Sequence, residues 1–258
     1  MRILIGSDFH GLPSAYERFA ETLRHYDVGI LAGDNLDEYI TETKLIAMLN
    51  LDPDEFLDEL PGESDTAEDS IRRWQEGKQN EYLRQGLLLK EKALKDTLNA
   101  ASKPVLVIPG NHDRTPWETN GNVINIHLRS VLIGGQKFVG YGCLDGGLEA
   151  ELQMRRLGEI EESIDDRTIL ITHFPPYNLL DHDDQGTAGF GSKTLASLVA
   201  EKHPRCHIFG HTHSAFGAQG VFINASYPNI RKFFALDTGR SKVWMVGTKG
   251  ILGRIWSR

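Results

Sequence analysis

The sequence predicts an α/β fold in which polar side chains follow the ends of parallel strands. Apolar runs at 2–6 and 28–32 enclose a helical pattern of Tyr16, Phe19 and Leu23, which is typical of a βαβ unit. In addition, Asp, His or Asn follows several of the apolar runs closely. Functional groups in such folds lie at the carboxyl ends of the strands. The sequence therefore predicts a parallel sheet with a polar site at one edge.

The rest of the chain outside one acidic segment alternates predicted strands and helices. Three closely spaced segments, 122–127, 130–133 and 137–142, have short turns between them, which favours antiparallel pairing. Residues 220–256 alternate like a set of short antiparallel strands. Apolar runs predict further strands at 104–108, 168–171 and 206–209, and helical spacing predicts helices over 148–164 and 192–203.

Residues 35–102 differ from the rest because they are acidic and rich in helix-forming residues. Apolar residues recur at helical spacing from Thr66 to Ala101, which predicts one long helix or two helices with a break near Gly86. We interpret 35–102 as a helical insertion within a single domain that spans 1–258. Such an insertion could cover the site as a lid, bind a partner protein or only pack against the core.

Composition restricts the classes of function. The net charge is -8, from 28 Lys and Arg against 36 Asp and Glu, with the basic residues scattered. A nucleic-acid surface is therefore disfavoured, although not excluded. The separated Cys143 and Cys206 favour two buried thiols in a reducing compartment. Because Asp8 ends the first apolar run and no stretch approaches ~20 apolar residues, we expect a soluble, cytoplasmic protein without membrane binding.

Five short segments supply side chains that can bind divalent metal ions. Each segment alone is more often a turn or a helix cap. Together, and each after a predicted strand, they predict a hydrolytic centre with two metal ions, since carboxylate and imidazole suit such ions. The segments are Gly6-Ser7-Asp8-Phe9-His10-Gly11, Gly33-Asp34-Asn35, Gly110-Asn111-His112-Asp113, Thr172-His173-Phe174 and Gly210-His211-Thr212-His213.

The candidate ligands divide into two shells that share one carboxylate. Asp34 is our candidate bridging ligand, because a carboxylate can bind one ion through each oxygen. Two ions ~3.5–4 Å apart can hold a bridging hydroxide and stabilise both the attacking and the leaving oxygen, which suits phosphate esters better than amides. Asp8, His10 and His213 would complete one shell, and Asn111, His173 and His211 the other.

Two residues next to the ligands are candidates for catalysis. His112 follows a proposed ligand in a tight turn, and we assign it to protonating the leaving oxygen or stabilising the charged transition state. Asp113 would hold the imidazole of His112 in the useful tautomer.

The motif set resembles the calcineurin-like metallophosphoesterase superfamily, and every motif position is filled between residues 6 and 213. The resemblance implies a four-layer αββα sandwich, in which two mixed sheets are flanked by helices and the metal ions lie at one edge. One departure follows Gly33-Asp34: many members carry Asp or Asn two positions later, whereas this chain has Leu36 there and Asp37 one position on. The departure concerns contacts around the ligand and not Asp34 itself.

The last third of the chain has a narrower likeness. Its motifs resemble the metallophosphoesterase-domain branch that includes brain-expressed cyclic-nucleotide phosphodiesterase-like proteins, which favours a phosphodiester substrate. The motifs are His173-Phe174-Pro175-Pro176, Phe209-Gly210-His211-Thr212-His213 with Phe216-Gly217, and Asn224-Ala225-Ser226.

The expected activity is metal-dependent hydrolysis of a phosphodiester or small phosphomonoester, by attack of a metal-bridging hydroxide on phosphorus. We expect two divalent ions, Mn²⁺ first, with Fe, Zn²⁺, Ni²⁺ or Co²⁺ as alternatives, because availability as well as affinity decides which ion is bound. A nuclease, a protein phosphatase and a catalytically silent partner-binding scaffold on the same fold are the alternatives. A scaffold should have lost some of the site residues, and the complete set, including His112, favours an enzyme.

Overall fold

The computed structural model of the chain describes residues 1–36, 78–113, 116–143, 154–182, 186–187, 189–227, 232–247 and 250–257. Contacts divide the chain into two compact units, one of residues 1–37 and 94–258 and the other of residues 38–93. The predicted insertion at 35–102 lies largely outside the described residues. Within them, a single helix, Lys78–Asn99, continues through Gly86 without the break that the sequence left open.

The first sheet has seven described strands, and its central strands are the predicted parallel ones. In spatial order the strands are β13 (Gly250–Ser257), β12 (Lys242–Gly247), β11 (Phe233–Asp237), β1 (Arg2–Gly6), β2 (Val28–Ala32), β3 (Val105–Ile108) and β4 (Val123–Asn125). Neighbouring strands from β1 to β4 pair in parallel. The pairs β1–β11, β11–β12 and β12–β13 are antiparallel.

The second sheet has six described strands and is also mixed. In spatial order the strands are β5 (Arg129–Ile133), β6 (Gln136–Tyr141), β7 (Thr168–Thr172), β8 (Cys206–Phe209), β10 (Phe222–Asn224) and β9 (Gly217–Gln219). Pairing is parallel from β6 through β7 and β8 to β10, whereas the outer strands β5 and β9 are antiparallel to their neighbours.

The two sheets enclose the main hydrophobic core. Side chains alternate between the faces of a strand, so Ile3 and Ile5 of β1 enter the core between the sheets while Leu4 faces the other way. Ile169 and Ile171 of β7 contribute in the same way from the second sheet. This contact between sheets fixes the position of the two sheet edges relative to each other.

Helices form the outer layers. Phe19 and Leu23 of α1 (Pro13–Leu23) cover the first sheet at Gly29, where an added Cβ would lie 3.0 Å from the ring of Phe19. On the second sheet, Leu195 and Val199 share a buried cluster with residues of β6 and β7. Both residues belong to α4 (Lys193–Lys202). The two helices between α1 and α4 are α2 (Lys78–Asn99) and α3 (Gly158–Glu161). The four-layer αββα sandwich with two mixed sheets is therefore confirmed.

The strands between residues 122 and 142 differ from the prediction. β4 pairs parallel with β3 in the first sheet, and only β5 and β6 form the expected antiparallel pair. The chain changes sheets between them: Ile126 N still donates to Val107 O at 3.0 Å, whereas Leu128 N donates to Gly140 O at 2.9 Å. Short turns indicated a meander, but the buried Ile126 continues the pairing of the first sheet.

Two other predicted segments are corrected. The helix predicted over 148–164 is described from residue 154, as a 3₁₀ turn at Met154–Arg156 followed by the single turn α3. Leu157 lies between the two turns, and Gly158, a weak helix former, is the first residue of α3. The tail is antiparallel in β11, β12 and β13 as expected, but β10 pairs parallel with β8.

Two further expectations concern the thiols and the membrane. Cys143 and Cys206 are free and buried, and burial raises the pKa of Cys206 to about 12. In the described part of the chain, every helix is too short or too polar to span a bilayer.

We expect Ile169→Ala to lower the free energy of unfolding by about 2–5 kcal/mol, because it removes a fully buried side chain from between the sheets. Leu132→Ala is the matched control, since Leu132 lies in the same sheet but is 71% exposed, and its effect should stay within about 0.5 kcal/mol. Urea unfolding followed by circular dichroism measures both. Equal losses in the two variants would contradict the assignment of the core.

Candidate metal centre

The structure brings the ends of five parallel strands to one place. β1, β2 and β3 are neighbours in the first sheet, and β7 and β8 are neighbours in the second. The sheet edges meet where His173 Nδ1 lies 2.9 Å from the carbonyl oxygen of Ala32. They meet again where His211 N donates to Asp8 Oδ1 at 3.0 Å. Loops from both sheets therefore surround the same space.

Asp8, His10 and His213 form a first group of converging donor atoms. His213 Nε2 lies 3.2 Å from Asp8 Oδ1 and 3.3 Å from His10 Nε2. The candidate ligand atoms of all three residues lie within 4.8 Å of one another. One carboxylate and two imidazole nitrogens aimed at a common point form a suitable donor set for a divalent metal ion.

Asn111, His173 and His211 form a second group. Asn111 Oδ1 lies 2.8 Å from His173 Nε2 and 2.9 Å from His211 Nδ1. The contact of His173 Nδ1 with the carbonyl oxygen of Ala32 fixes the ring, because a carbonyl can only accept a hydrogen bond. With Nδ1 protonated, Nε2 is the nitrogen that can bind a metal ion.

Two carboxylates lie between these groups. Asp34 Oδ1 is 3.4 Å from His173 Nε2, and Asp34 Oδ2 is 3.8 Å from His10 Nε2, so Asp34 reaches both groups. Asp8 also reaches both, since its ligand atom lies within 4.8 Å of those of Asp34 and His173. All seven predicted ligands are thus brought together, and the assignment of Asp34 as the bridging ligand stays a prediction.

The backbone around the centre is held in an uncommon conformation. Asp8, His10, Asp34 and His211 have φ values of 58°, 45°, 51° and 70°. For a non-glycine residue, this left-handed conformation costs roughly 1–3 kcal/mol of stability, and it persists only where the surrounding structure holds the residue in place. Asp8 N donates to Gly33 O and His10 N to Asp34 O, each at 2.9 Å, so the two loops hold each other in place.

The buried charges determine the protonation of the centre. Burial would raise the pKa of Asp8, but the hydrogen bond with His213 and the charge of His173 hold it below its usual value. Burial also opposes ionisation of Asp34, and the charge and hydrogen bond of His173 again lower the pKa. Conversely, burial acts to lower the pKa of His173, but Asp34 raises it to about 9. The imidazolium of His173 therefore neutralises part of the charge of both carboxylates.

The pKa values of the other three candidate-ligand imidazoles, those of His10, His211 and His213, are shifted in different directions. Burial, followed by the charge of His173, lowers the pKa of His211 to about 4. Burial also lowers the pKa of His10. Burial acts in the same direction on His213, but the hydrogen bond to Asp8 and the charges of Asp8 and Asp34 together raise its pKa. Neutral imidazole is the form that binds metal ions. His10 and His211 are therefore already in the binding form at neutral pH.

His112 lies beside the candidate ligands and is partly open to solvent, as are His10 and His213. Its backbone N donates to Asp34 Oδ1 at 2.8 Å, and its Nε2 lies 4.0 Å from Asp34 Oδ2. The side chain of His112 is 28% exposed, whereas that of His173 is fully buried. A group in this position can meet the leaving oxygen of a substrate, and its catalytic role stays a prediction.

Asp113 has a different role from the one predicted. Its carboxylate accepts hydrogen bonds from the backbone N of Asn35, Leu36 and Gly110 at 2.8–3.0 Å, and from the side-chain amide of Asn35. Within the described residues its hydrogen bonds thus come from two loops and not from the imidazole of His112. The tautomer assignment is therefore corrected: Asp113 ties the loop of Asp34 to the loop of Asn111.

The structure also reveals supporting residues that sequence reasoning did not assign. Asn224 is fully buried, and its Nδ2 donates to Thr212 O at 2.9 Å and to Leu180 O at 3.1 Å. Its Oδ1 accepts from the backbone N and the hydroxyl of Ser226. Asn224 thus fixes the loop that carries His211 and His213. A buried Asn at the end of a short strand is a weak signal, because its partners Thr212 and Leu180 are distant in sequence.

The sequence also matches a known protein family over most of its length. The family model described as calcineurin-like phosphoesterase matches residues 1–215. The chain belongs to the calcineurin-like phosphoesterase family. Members of this family are phosphoesterases, and the matched range includes every candidate ligand. No curated protein sequence matches the chain.

Solved structures with low sequence identity share the fold. A Thermus thermophilus protein has a TM-score of 0.58 at 16% identity, covering 95% of this chain and 98% of that one. A dimetal phosphatase from Danio rerio has a TM-score of 0.55 at 12% identity, covering 100% and 99%. A third structure reaches 0.67 at 12% identity, covering 95% and 98%. These similarities show the fold of this calcineurin-like phosphoesterase.

We expect Gly110→Ala to weaken Mn²⁺ binding by about 10–100-fold, the range for changes next to metal ligands. A Cβ at this position would lie closer than van der Waals contact to Oδ1 and the backbone N of Asp34. Gly158→Ala is the control, because its Cβ would meet nothing within 4 Å. Isothermal titration calorimetry measures both, and unchanged affinity in Gly110→Ala would show that Asp34 does not take part in binding.

Metal binding at pH 7 should release protons. His173 is protonated at this pH in the arrangement described, since its pKa is about 9, and must lose a proton to bind a metal ion. The apparent affinity for Mn²⁺ should therefore rise with pH up to about pH 9 and fall as the pH is lowered. Titrations in two buffers of different ionisation enthalpy count the released protons. An enthalpy that is the same in both buffers would contradict this account.

Proposed function

We propose that this phosphoesterase is a metal-dependent hydrolase that uses a two-ion centre and acts on a small phosphodiester. Membership of the family supports phosphoester hydrolysis. The observation that carries the metal dependence is the arrangement of Asp8 and Asp34 between two groups of imidazoles. We propose Mn²⁺ as the first ion to test, because carboxylate, imidazole and amide oxygen donors suit it.

The seven ligand residues have distinct parts in this proposal. One ion would be held by Asp8, His10 and His213, and the second by Asn111, His173 and His211. Asp34, which reaches both groups, would bridge the two ions. Divalent ions in such a centre activate water as a nucleophile at neutral pH and stabilise the charge on the phosphoryl oxygens. The surrounding chain keeps the donor atoms fixed: buried hydrogen bonds to Ala32 O and from His211 N hold His173 and Asp8 in place.

His112 is our candidate for the residue that assists departure of the leaving group. Its imidazole lies beside Asp34, and its side chain is 28% exposed, so a substrate can reach it. A protonated imidazole there can donate its proton to the leaving oxygen, or its charge can stabilise the transition state. Side chains in such roles contribute roughly 10²–10⁴-fold to the rate.

The preference for a diester is supported by the likeness of the last third of the sequence to the phosphodiesterase-like branch. The motifs that carry this likeness include His173-Phe174-Pro175-Pro176 and Asn224-Ala225-Ser226.

We expect the Mn²⁺-loaded protein to hydrolyse bis(p-nitrophenyl) phosphate faster than p-nitrophenyl phosphate. His112→Asn should lower kcat for the diester by roughly 10²–10⁴-fold while metal content stays the same. His203→Asn is the matched control, because His203 is an exposed helix cap at φ 48°, a conformation that Asn tolerates. His211→Ala should lose both metal and activity.

The outcomes separate the alternatives. Faster turnover of the monoester would keep the centre and change the substrate class to phosphatase. Full metal loading with no turnover of either ester would favour the partner-binding scaffold. Activity of His112→Asn equal to the wild type would remove His112 from the mechanism.

A further inference from the structure

A cavity of about 230 Å³ lies away from the metal centre, at the opposite edge of the second sheet. Its lining includes Arg167 and Arg205, which directly precede β7 and β8. The metal ligands follow the other ends of the same two strands, which are five and four residues long. At about 3.3 Å per residue, the strands separate the two places by roughly 13–17 Å. The cavity is therefore distinct from the candidate active site.

The guanidinium of Arg205 is held in a fixed position by neutral groups. Its Nη1 donates to Gln136 Oε1 at 3.2 Å, and its Nη2 donates to the carbonyl oxygen of Thr238. Gln136 is itself anchored, because its Nε2 donates to Arg167 O at 2.6 Å and to Lys137 O at 3.0 Å. Gln136 is 6% exposed and Thr238 is 8% exposed. The positive charge is thus oriented by a largely buried framework.

The charges around the cavity are unequal. Within the described residues, neither Arg205 nor Arg167 has a carboxylate oxygen within 4.0 Å of its guanidinium, although both line the cavity. The neighbouring carboxylates have other partners: Asp165 pairs with Lys137 at 2.6 Å, and Asp237 pairs with Arg240 at 3.7 Å. Asp166 is the acidic residue of the described lining. The described lining thus carries two positive charges and one negative charge.

The size and chemistry of the cavity define its ligand. A volume of about 230 Å³ is smaller than the ~300–1,000 Å³ typical of pockets for drug-sized molecules. A guanidinium presents a planar set of N–H donors that matches the oxygens of phosphate and carboxylate. Ser241 adds a hydroxyl to the lining, and Gly220 has open space beside its backbone. A small ligand with a phosphate or carboxylate group fits these features.

We propose that this cavity is a second ligand site, in which Arg205 and Arg167 bind the oxyanion group of a small phosphorylated or carboxylated molecule. Gln136 and Thr238 are positioning residues that hold the guanidinium of Arg205. The site is independent of the proposed phosphodiesterase activity, since β7 and β8 separate its two arginines from the metal ligands named above.

The test is a titration of the Zn²⁺-loaded, full-length protein with inorganic phosphate, followed by ¹⁵N nuclear magnetic resonance. Zn²⁺ is diamagnetic, so resonances near both sites remain visible. Phosphate should shift the Nε–H resonance of Arg205 and the backbone amides of Gly220 and Ser241 in a saturable manner. Malonate in a second titration distinguishes phosphate from carboxylate recognition, and sodium chloride at equal ionic strength controls for screening.

Arg205→Gln should weaken this binding by about tenfold or more, the loss expected for a charge-assisted contact. Arg129→Gln is the matched control, because Arg129 is an exposed arginine on β5 that does not line the cavity. Arg167→Gln provides a second variant if Arg205→Gln fails to fold. Shifts confined to residues near the metal centre, or equal affinity in wild type and Arg167→Gln or Arg205→Gln, would overturn the proposal.

Discussion

Asp8 and Asp34 are two carboxylates buried within a few ångströms of each other, and the surrounding structure has to compensate their charge. Both side chains are almost fully buried. A buried charge is very unfavourable unless it is paired and hydrogen-bonded. The protein supplies backbone N–H groups from His211 and His112, together with the imidazolium of His173. Divalent cations would provide the same compensation more fully, which is why this arrangement is suited to metal binding.

This constraint explains why two sheets are needed. The first sheet delivers the carboxylates through β1 and β2, while the second sheet delivers most of the imidazoles through β7 and β8. The large apolar contact between the sheets sets the distance between these groups. The left-handed backbone of Asp8, Asp34 and His211 then turns the loops inward. Asp113 and Asn224 secure those loops, so a substantial part of the polar network supports the ligands and does not contact a substrate.

The sequence predicts the residues that follow strands better than it predicts partners distant in the chain. The parallel strands, and the candidate ligands after them that the structure brings together, were predictable, because apolar runs and the adjoining polar residues are local patterns. The change of sheet near Ile126 was not predictable, since it depends on a hydrogen bond from Ile126 N to the carbonyl oxygen of Val107 in strand β3. The role of Asp113 was missed for a related reason: its donors include Asn35 and Leu36, nearly eighty residues earlier. Spacing identifies a chemically useful residue, whereas the fold decides what it contacts.

The central claim is that donors from both sheets together bind two metal ions. The most direct measurement is a crystal structure of the protein grown with Mn²⁺, with anomalous diffraction recorded above the manganese absorption edge. The account predicts two anomalous peaks, one within coordination distance of Asp8, His10 and His213, and the other beside Asn111, His173 and His211. A fully ordered site with no peak, or with peaks only at surface carboxylates, would contradict it.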